Sequence, residues 1–426
     1  MAVARPCLVL ACVFGCKFSP PSGGPGDAAD AMPDVPPDVP DAAEDVCMMW
    51  DPEHFDPCVV GGPLDPPPFD AAASPYTYDT TTSGGVLKDK DGLVVSMSDD
   101  VVMQPDNSAV ALWNLSSLTL PQNVVINIIG SKPLIIASWD TMQIDGALDA
   151  GSHTAEIDGP AGIDATVQLG AGASSASCTT LAGGPGANGV ATGGSGGGGG
   201  AGFYGTGASG STGDAGSGNT AGGSGGMSLT PTVIRAGCAG GASGTAGAGA
   251  VVSPATSESK ANPGSGGGAL VLAVRNSLAV GANGRVVAGG GGGAGSPQGS
   301  ACGGGGGGSG GYLGLDAPTI MVSGVVAANG GGGGGGSGFA NQGNKGGDGG
   351  ANDMRAPGGM AIPGLDCGER GGRGGAGAII SIDGETNTTV DGCGGGGGGG
   401  GAGHVLVWSG GFTASGIVSP VATVMP

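Results

Sequence analysis

Two groups of carboxylates are the side chains in this sequence whose spacing would suit catalysis. Asp140, Asp145 and Asp149 fall close together in one passage, and Asp383, Glu385 and Asp391 in another. Two carboxyl groups flanking a glycosidic bond can do general acid and base work, so these positions define the enzyme this chain would be, a polysaccharide lyase or hydrolase. Against that reading, Asp commonly marks turns between strands. Arg275 and Arg285 stand isolated, and aromatic side chains on which sugars stack number only 4 Trp, 4 Tyr and 7 Phe. The 3 histidines, His54, His153 and His404, share no His-x-x-x-His spacing, and no Cys-x-x-Cys exists, so no metal site is expected. The stretch GNKGGDGGAND from Gly343 approaches a calcium nonapeptide, but it occurs once and misplaces Asp348, which reads as an ordinary polar loop residue. Patterns such as Gly-x-Gly-x-x-Gly recur through composition alone, and Lys345 precedes Gly346 where a phosphate-binding loop needs Ser or Thr. No catalytic residue and no cofactor is therefore predicted.

The cysteines carry more information. One positive charge at Arg5 precedes the apolar run CLVLACVF, which has the length of a signal-peptide core and is too short to span a bilayer. Val13-Phe14-Gly15-Cys16 follows and resembles a bacterial lipobox, with Phe14 standing where a smaller residue is usual. The reading is a lipoprotein signal over residues 1–16 with Cys16 as the lipid attachment point, since two or more acyl chains make a lasting anchor. The alternative is a plain secretory signal cleaved elsewhere. Residues 17–46, rich in Pro and Asp, read as an extended, disordered tether, about 90 Å at most if wholly in polyproline geometry. Residues 47–72 hold a loop bracketed by Cys47 and Cys58, with Trp50, His54 and Phe55 inside it. An exported chain would oxidise that pair, giving a small aromatic knot or, alternatively, a ligand grip. Cys178 with Cys238, and two of Cys302, Cys367 and Cys393, are further disulfide candidates, Cys367 and Cys393 being preferred. One mature thiol remains unpaired, and the connectivity is not deducible from sequence.

The elements that would position such groups emerge from a repeat. Passages beginning at Lys132, Gly268, Gly311 and Gly403 each show a short apolar strand, a polar turn, a second alternating strand and a third short run. Leu134, Ile136, Met142, Ile144 and Leu148 alternate with small or polar neighbours in the first, a period of two that places one set inward. Leu270, Leu272, Leu278, Val280 and Val286 take those places in the second, and Leu313, Leu315, Ile320, Val322 and Val326 in the third. Val405, Val407, Phe412 and Val418 take them in the last. Residues 377–392 read as a weaker copy, and a partial one starts at Pro121. Three short strands in about twenty residues, with Gly at the corners, is one coil of a stacked repeat. The predicted fold is all-β, a parallel β-helix over residues 131–426 with a glycine-rich insertion at 159–265. Residues 73–130 would form an N-terminal β region that caps it. Glycine runs at 196–200, 289–293, 303–308, 330–336 and 394–401 share one phase of the repeat. Insertions there would leave one corner and lie side by side, either mobile or packed as bare extended backbone.

The segments 13–16, 47–58, 132–151 and 311–336 together resemble the glycine-rich surface lipoproteins of myxobacteria and related large-genome bacteria. The likeness covers nearly the whole chain and is one of architecture; it implies a lipobox, a tether, a Cys-bracketed Trp segment and glycine-ended coils, with no activity attached. Glycine supplies 103 of 426 residues, and 13 Lys and Arg against 34 Asp and Glu leave a net charge of -21. Such a surface offers no basic stripe to nucleic acid and no attraction to anionic lipid headgroups. The sequence thus predicts a non-catalytic, lipid-anchored structural or matrix-type display protein on the outer membrane or cell surface, meeting the membrane through its N-terminal lipid. The alternatives are an adhesin that binds cell-surface polysaccharide and, second, the β-helix lyase or hydrolase.

Overall fold

The structure, a computed structural model, describes residues 47–426 apart from residues 48, 155–166, 174–177, 191, 215–219, 248–259, 339–341, 361–368, 378 and 386–392. Its regular secondary structure is almost wholly strand, most of it in three parallel sheets. Sheet A stacks Ala109–Leu115, Leu134–Ser138, Ala269–Val274, Tyr312–Asp316, His404–Trp408 and Thr423–Met425 in that order. Sheet C stacks Leu118–Leu120, Thr141–Ile144, Ser277–Val280, Thr319–Val322 and Gly411–Ala414. Sheet B continues with Val125–Ile129, Ala147–Asp149, Arg285–Val287, Val325–Ala327 and Ile417–Ser419. The chain therefore visits A, then C, then B, and begins again one strand further along. At the N-terminal end Tyr76–Asp79 joins sheet B in parallel, and Gly85–Lys88 and Val94–Ser98 extend it antiparallel. Val101–Met103 pairs antiparallel with Ala109–Leu115 on sheet A.

The register explains why the repeat is readable. Leu134, Leu270, Leu313 and Val405 are direct partners across sheet A, and Met142, Leu278, Ile320 and Phe412 across sheet C. Leu148, Val286, Val326 and Val418 line up on sheet B. All of these belong to one apolar cluster enclosed by the three sheets, in which Phe412 and Val418 on the last strands are only partly buried. A strand with one wet face alternates buried and exposed residues, as Thr319–Val322 does. Leu134–Ser138 and Ala269–Val274 are instead buried throughout. Their outer faces, with Ile135, Val271, Tyr312 and Leu406, form a second cluster under Trp50, Phe55, Phe203 and Ile234. The Cys47–Cys58 loop is thus docked on sheet A rather than standing free, and the Cys178–Cys238 disulfide ties a sixty-residue separation across the same face.

The weaker copy expected over residues 377–392 forms no strand among its described residues. Among the described residues of 376–385 the backbone makes a single isolated bridge, Ala376 to Ile379, and adds no strand to any sheet. Ile380 is 74 % exposed, because its segment runs beside residues 370–373, where Ile382 and Glu385 donate to the Arg373 and Arg370 carbonyls. Residues 386–392 lie outside the described residues.

Candidate functional site

Every long excursion leaves the stack after a sheet B strand and returns before a sheet A strand. Each is closed at its neck by one hydrogen bond: Gly268, Gly311 and Gly403 donate to the carbonyls of Ala150, Ala288 and Ala328. Beyond the necks the glycine runs form a lattice of backbone. Along residues 194–202 successive amides point to three neighbours in rotation. Gly194, Gly197 and Gly200 donate to Asp214, Ser211 and Ala208. Ser195, Gly198 and Ala201 donate to Ala301, Gly304 and Gly307, while Gly196, Gly199 and Gly202 donate to Ala187, Gly184 and Leu181. The next layer repeats this: Gly304, Gly307 and Gly310 donate to Gly395, Gly398 and Gly401, and Gly305 and Gly308 to Ala294 and Gly291. A partner that recurs every third residue is the mark of the three-residue polyproline II turn, whose backbone ordinarily is solvated. Here neighbouring chains replace the water.

Glycine is required in these runs for space. The described glycines with positive φ are Gly85, Gly92, Gly130, Gly172, Gly299 and Gly377, none of them inside a run. A Cβ built on Gly196, Gly306 or Gly400 would instead overlap the carbonyl oxygen of Ala221, Gly199 or Gly308. The few side chains admitted are small and bonded to backbone, as when the Ser195 hydroxyl donates to the Gly244 carbonyl at 2.7 Å and accepts from the Gly303 amide at 2.9 Å. Glu369, 1 % exposed, is a larger one, and it accepts from the Ser211 hydroxyl at 2.9 Å and the Gly396 amide at 3.3 Å.

Asp140, Asp145 and Asp149, the first group of carboxylates singled out by sequence, do not converge. Asp140 lies on the turn between sheets A and C and accepts from Asn276 Nδ2 at 2.8 Å. Asp145 lies on the turn between C and B, beside Gln143 at 3.0 Å. Asp149 ends its sheet B strand, accepting from the Gly151 amide at 2.8 Å and facing His153 at 3.0 Å. Three turns at three corners leave no pair across one substrate. Asp383 accepts from the Ser209 amide at 2.7 Å, and Asp391 lies outside the described residues.

Asp348 is more than the loop residue its sequence suggests. Its Oδ1 accepts the amides of Gly292 at 2.8 Å and Thr154 at 3.2 Å, while Oδ2 lies 3.5 Å from His153 Nδ1. Held between Asp149 and Asp348, His153 has its pKa raised to about 10 by those two hydrogen bonds. Lys345 Nζ completes the clamp, donating to the Thr154 carbonyl at 2.6 Å. His404 is elsewhere, packed edge-on between Phe203 and Tyr204 with Nε2 2.8 Å from the Leu229 carbonyl oxygen, and burial lowers its pKa. Among the described residues no three His, Cys, Asp or Glu side chains group as metal ligands.

Cys47 pairs with Cys58 and Cys178 with Cys238, and Cys393 is disulfide-bonded as well. Cross-links of this kind belong to an oxidising compartment. Cys302 is buried, and its thiol donates to the Ser300 carbonyl at 3.3 Å, with burial pushing its pKa up. Cys16, the tether 17–46 and Cys367 lie outside the described residues. No helix among the described residues is long and apolar enough to cross a membrane.

A cleft of about 440 Å³ opens where the Cys47–Cys58 loop meets the end of sheet A. Trp50, Asp51 and Glu53 come from the loop, Arg275, Asp316 and Trp408 from strand ends of three successive circuits. Trp50 is held edge-to-face by Trp139 at 5.2 Å and Phe55 at 5.4 Å. The His54 ring meets Trp408 edge-on at 4.8 Å, and burial lowers its pKa to about 4, so it is neutral. The Glu53 amide donates to Asp316 Oδ2 at 2.9 Å, joining loop and sheet. Sequence reasoning marked the loop but missed its partners, of which Arg275, Asp316 and Trp408 lie more than two hundred residues away. Their signal is a change at one register position: Ala137 and Ala273 in early circuits become Asp316 and Trp408 in later ones. Comparison of the chain with protein families, with curated proteins and with solved structures finds no match.

Proposed function

We propose that the chain is an exported, lipid-anchored surface protein of the myxobacterial glycine-rich type, with a parallel β-helix as body and the glycine lattice as a non-catalytic display or matrix element. The observation that carries this reading is the lattice itself, which encloses so little besides backbone that it presents no chemistry and serves as a rigid slab. A helix of stacked circuits accounts for the A, C, B order of the strands and for their common register. Three observations support display over the alternatives. Asp140, Asp145 and Asp149 of the lyase or hydrolase reading sit at separate corners; Tyr204, 49 % exposed, is the one aromatic side chain well open to solvent among the described residues, so no sheet face offers a sugar-stacking row; and the disulfides suit an extracellular setting.

The test is fractionation with protease shaving of intact cells, for the wild type and Cys16→Ser. Wild type is expected in the membrane fraction and open to protease from outside, and Cys16→Ser is expected to leave the membrane fraction. Unchanged detergent-phase partitioning of Cys16→Ser would overturn the anchor.

A further inference from the structure

We propose that the cleft between the Cys47–Cys58 loop and the end of sheet A is a binding site for a small organic cation, an ammonium group carried on a molecule about the size of a monosaccharide. The cavity, about 440 Å³, has two indole walls, Trp50 and Trp408, and three carboxylates, Asp51, Glu53 and Asp316. Indole faces attract ammonium groups, most strongly where water is excluded. Arg275 is the one cationic side chain lining the cleft, and among the described residues no ion pair joins it to any of the three acids. Asp316 is half sunk in the wall, with Oδ2 engaged by the Glu53 amide. Burial, with the negative charges of Glu53 and Asp51 beside it, pushes its pKa up to about 6 despite that hydrogen bond. At neutral pH it is therefore an ionised, poorly solvated carboxylate among other acids, an arrangement that a cation between the indoles would relieve. Neutral His54 adds no competing positive charge.

The geometry is also held in advance. A disulfide closes the loop, Trp50 is wedged between Phe55 and Trp139, and the Trp139 indole N–H donates to Asn114 Oδ1 at 2.7 Å. Walls fixed in this way lose little entropy when a ligand enters. The site does not depend on the anchor or on the lattice, and the proposal can fail while the display reading survives.

Isothermal titration of the full-length protein with choline, glucosamine and glucose at pH 7 tests it, with tryptophan fluorescence as a second signal. Choline and glucosamine are expected to bind and glucose not to. Asp316→Asn, which keeps an oxygen for the Glu53 amide, should weaken both cations about tenfold, and Trp408→Leu should do the same. Asp140→Asn, an equal loss of charge outside the cleft, should leave binding unchanged. Melting temperatures of all three variants show whether the fold is intact. The proposal falls if neither cation binds, if glucose binds as well as glucosamine, or if Asp140→Asn weakens binding as much as Asp316→Asn does in folded proteins.

Discussion

The three-sheet stack and the glycine lattice solve the same problem in opposite ways. In the stack, Leu134, Leu270, Leu313 and Val405 meet in register and stabilise the fold through the apolar surface they remove from water. In the lattice, residues 194–202 have almost no side chain to bury and are held by amides shared among three neighbours. The first needs particular side chains present; the second needs them absent. Ordering glycine costs more backbone entropy than ordering any other residue, so the lattice is tenable only because the necks at Ala150, Ala288 and Ala328 deliver its runs already aligned.

The largest effect expected on this comparison is from a charge placed inside the stack. Leu315 and Val322 are 0 % and 1 % exposed. Leu315→Asp or Val322→Asp would bury an unpaired carboxylate, costing several kcal/mol, roughly 3 or more. Loss of the β signal in circular dichroism and rapid proteolysis are expected. If either variant digests no faster than wild type, the enclosed core is wrong.

A methyl group is the corresponding insult to the lattice. Gly306→Ala forces a Cβ onto the Gly199 carbonyl, whereas Gly62→Ala meets nothing within 4 Å. Overpacking a close-packed site costs about 1 to 3 kcal/mol, so Gly306→Ala should lower the melting temperature clearly and Gly62→Ala hardly at all. Equal behaviour of the two would mean that the runs are not packed in solution. Asp348→Asn comes next. The amide can still accept from Gly292 or Thr154, but it loses the charge facing His153, and a loss of about 1 kcal/mol is expected. Urea midpoints against wild type measure it, and a neutral result would make Asp348 the loop residue that its sequence suggests.

These contrasts separate what could be read in advance from what could not. The inward residues were legible because a strand shows its burial at a period of two, and four copies put the same positions in apolar hands. The docking of the Cys47–Cys58 loop was not, since Trp50 meets Trp139 and Glu53 meets Asp316 only after the circuits stack. The continuous apolar runs of Leu134–Ser138 and Ala269–Val274 were the available hint that sheet A is covered on both faces. The lattice was half legible: the common phase of the runs placed them at one corner, but polyglycine has no side-chain pattern from which a three-residue hydrogen-bond rotation could be inferred. Residues 377–385 misled because Ile379, Ile380 and Ile382 suggest a strand that finds no neighbour in register.

The smallest effect tests the seam between the two regions. His153 links Asp149, at the end of a sheet B strand, to Asp348, which lies in the 343–349 segment of the lattice. Its pKa is raised to about 10 by hydrogen bonds to Asp149 and Asp348, from the ordinary imidazole value of 6.5. A group that binds its proton more tightly when folded adds stability that is fully present below about pH 6.5 and is lost as the pH rises through about 10. The His153 side chain is 40 % exposed, so solvent screens both contacts and the contribution should stay below about 1 kcal/mol. Melting temperatures of wild type and His153→Gln, measured from pH 6 to pH 10, isolate it from every other titration in the chain. The wild type is expected to lead at pH 6 by one or two degrees, as follows from about 1 kcal/mol in a domain of this size, and the lead should close toward pH 10. A difference that stays constant across the range would show that the imidazole packs there without holding a proton, and at this seam Asp348's bonds to the Gly292 and Thr154 amides and the Lys345 bond to the Thr154 carbonyl would then remain without an ionic contribution from His153.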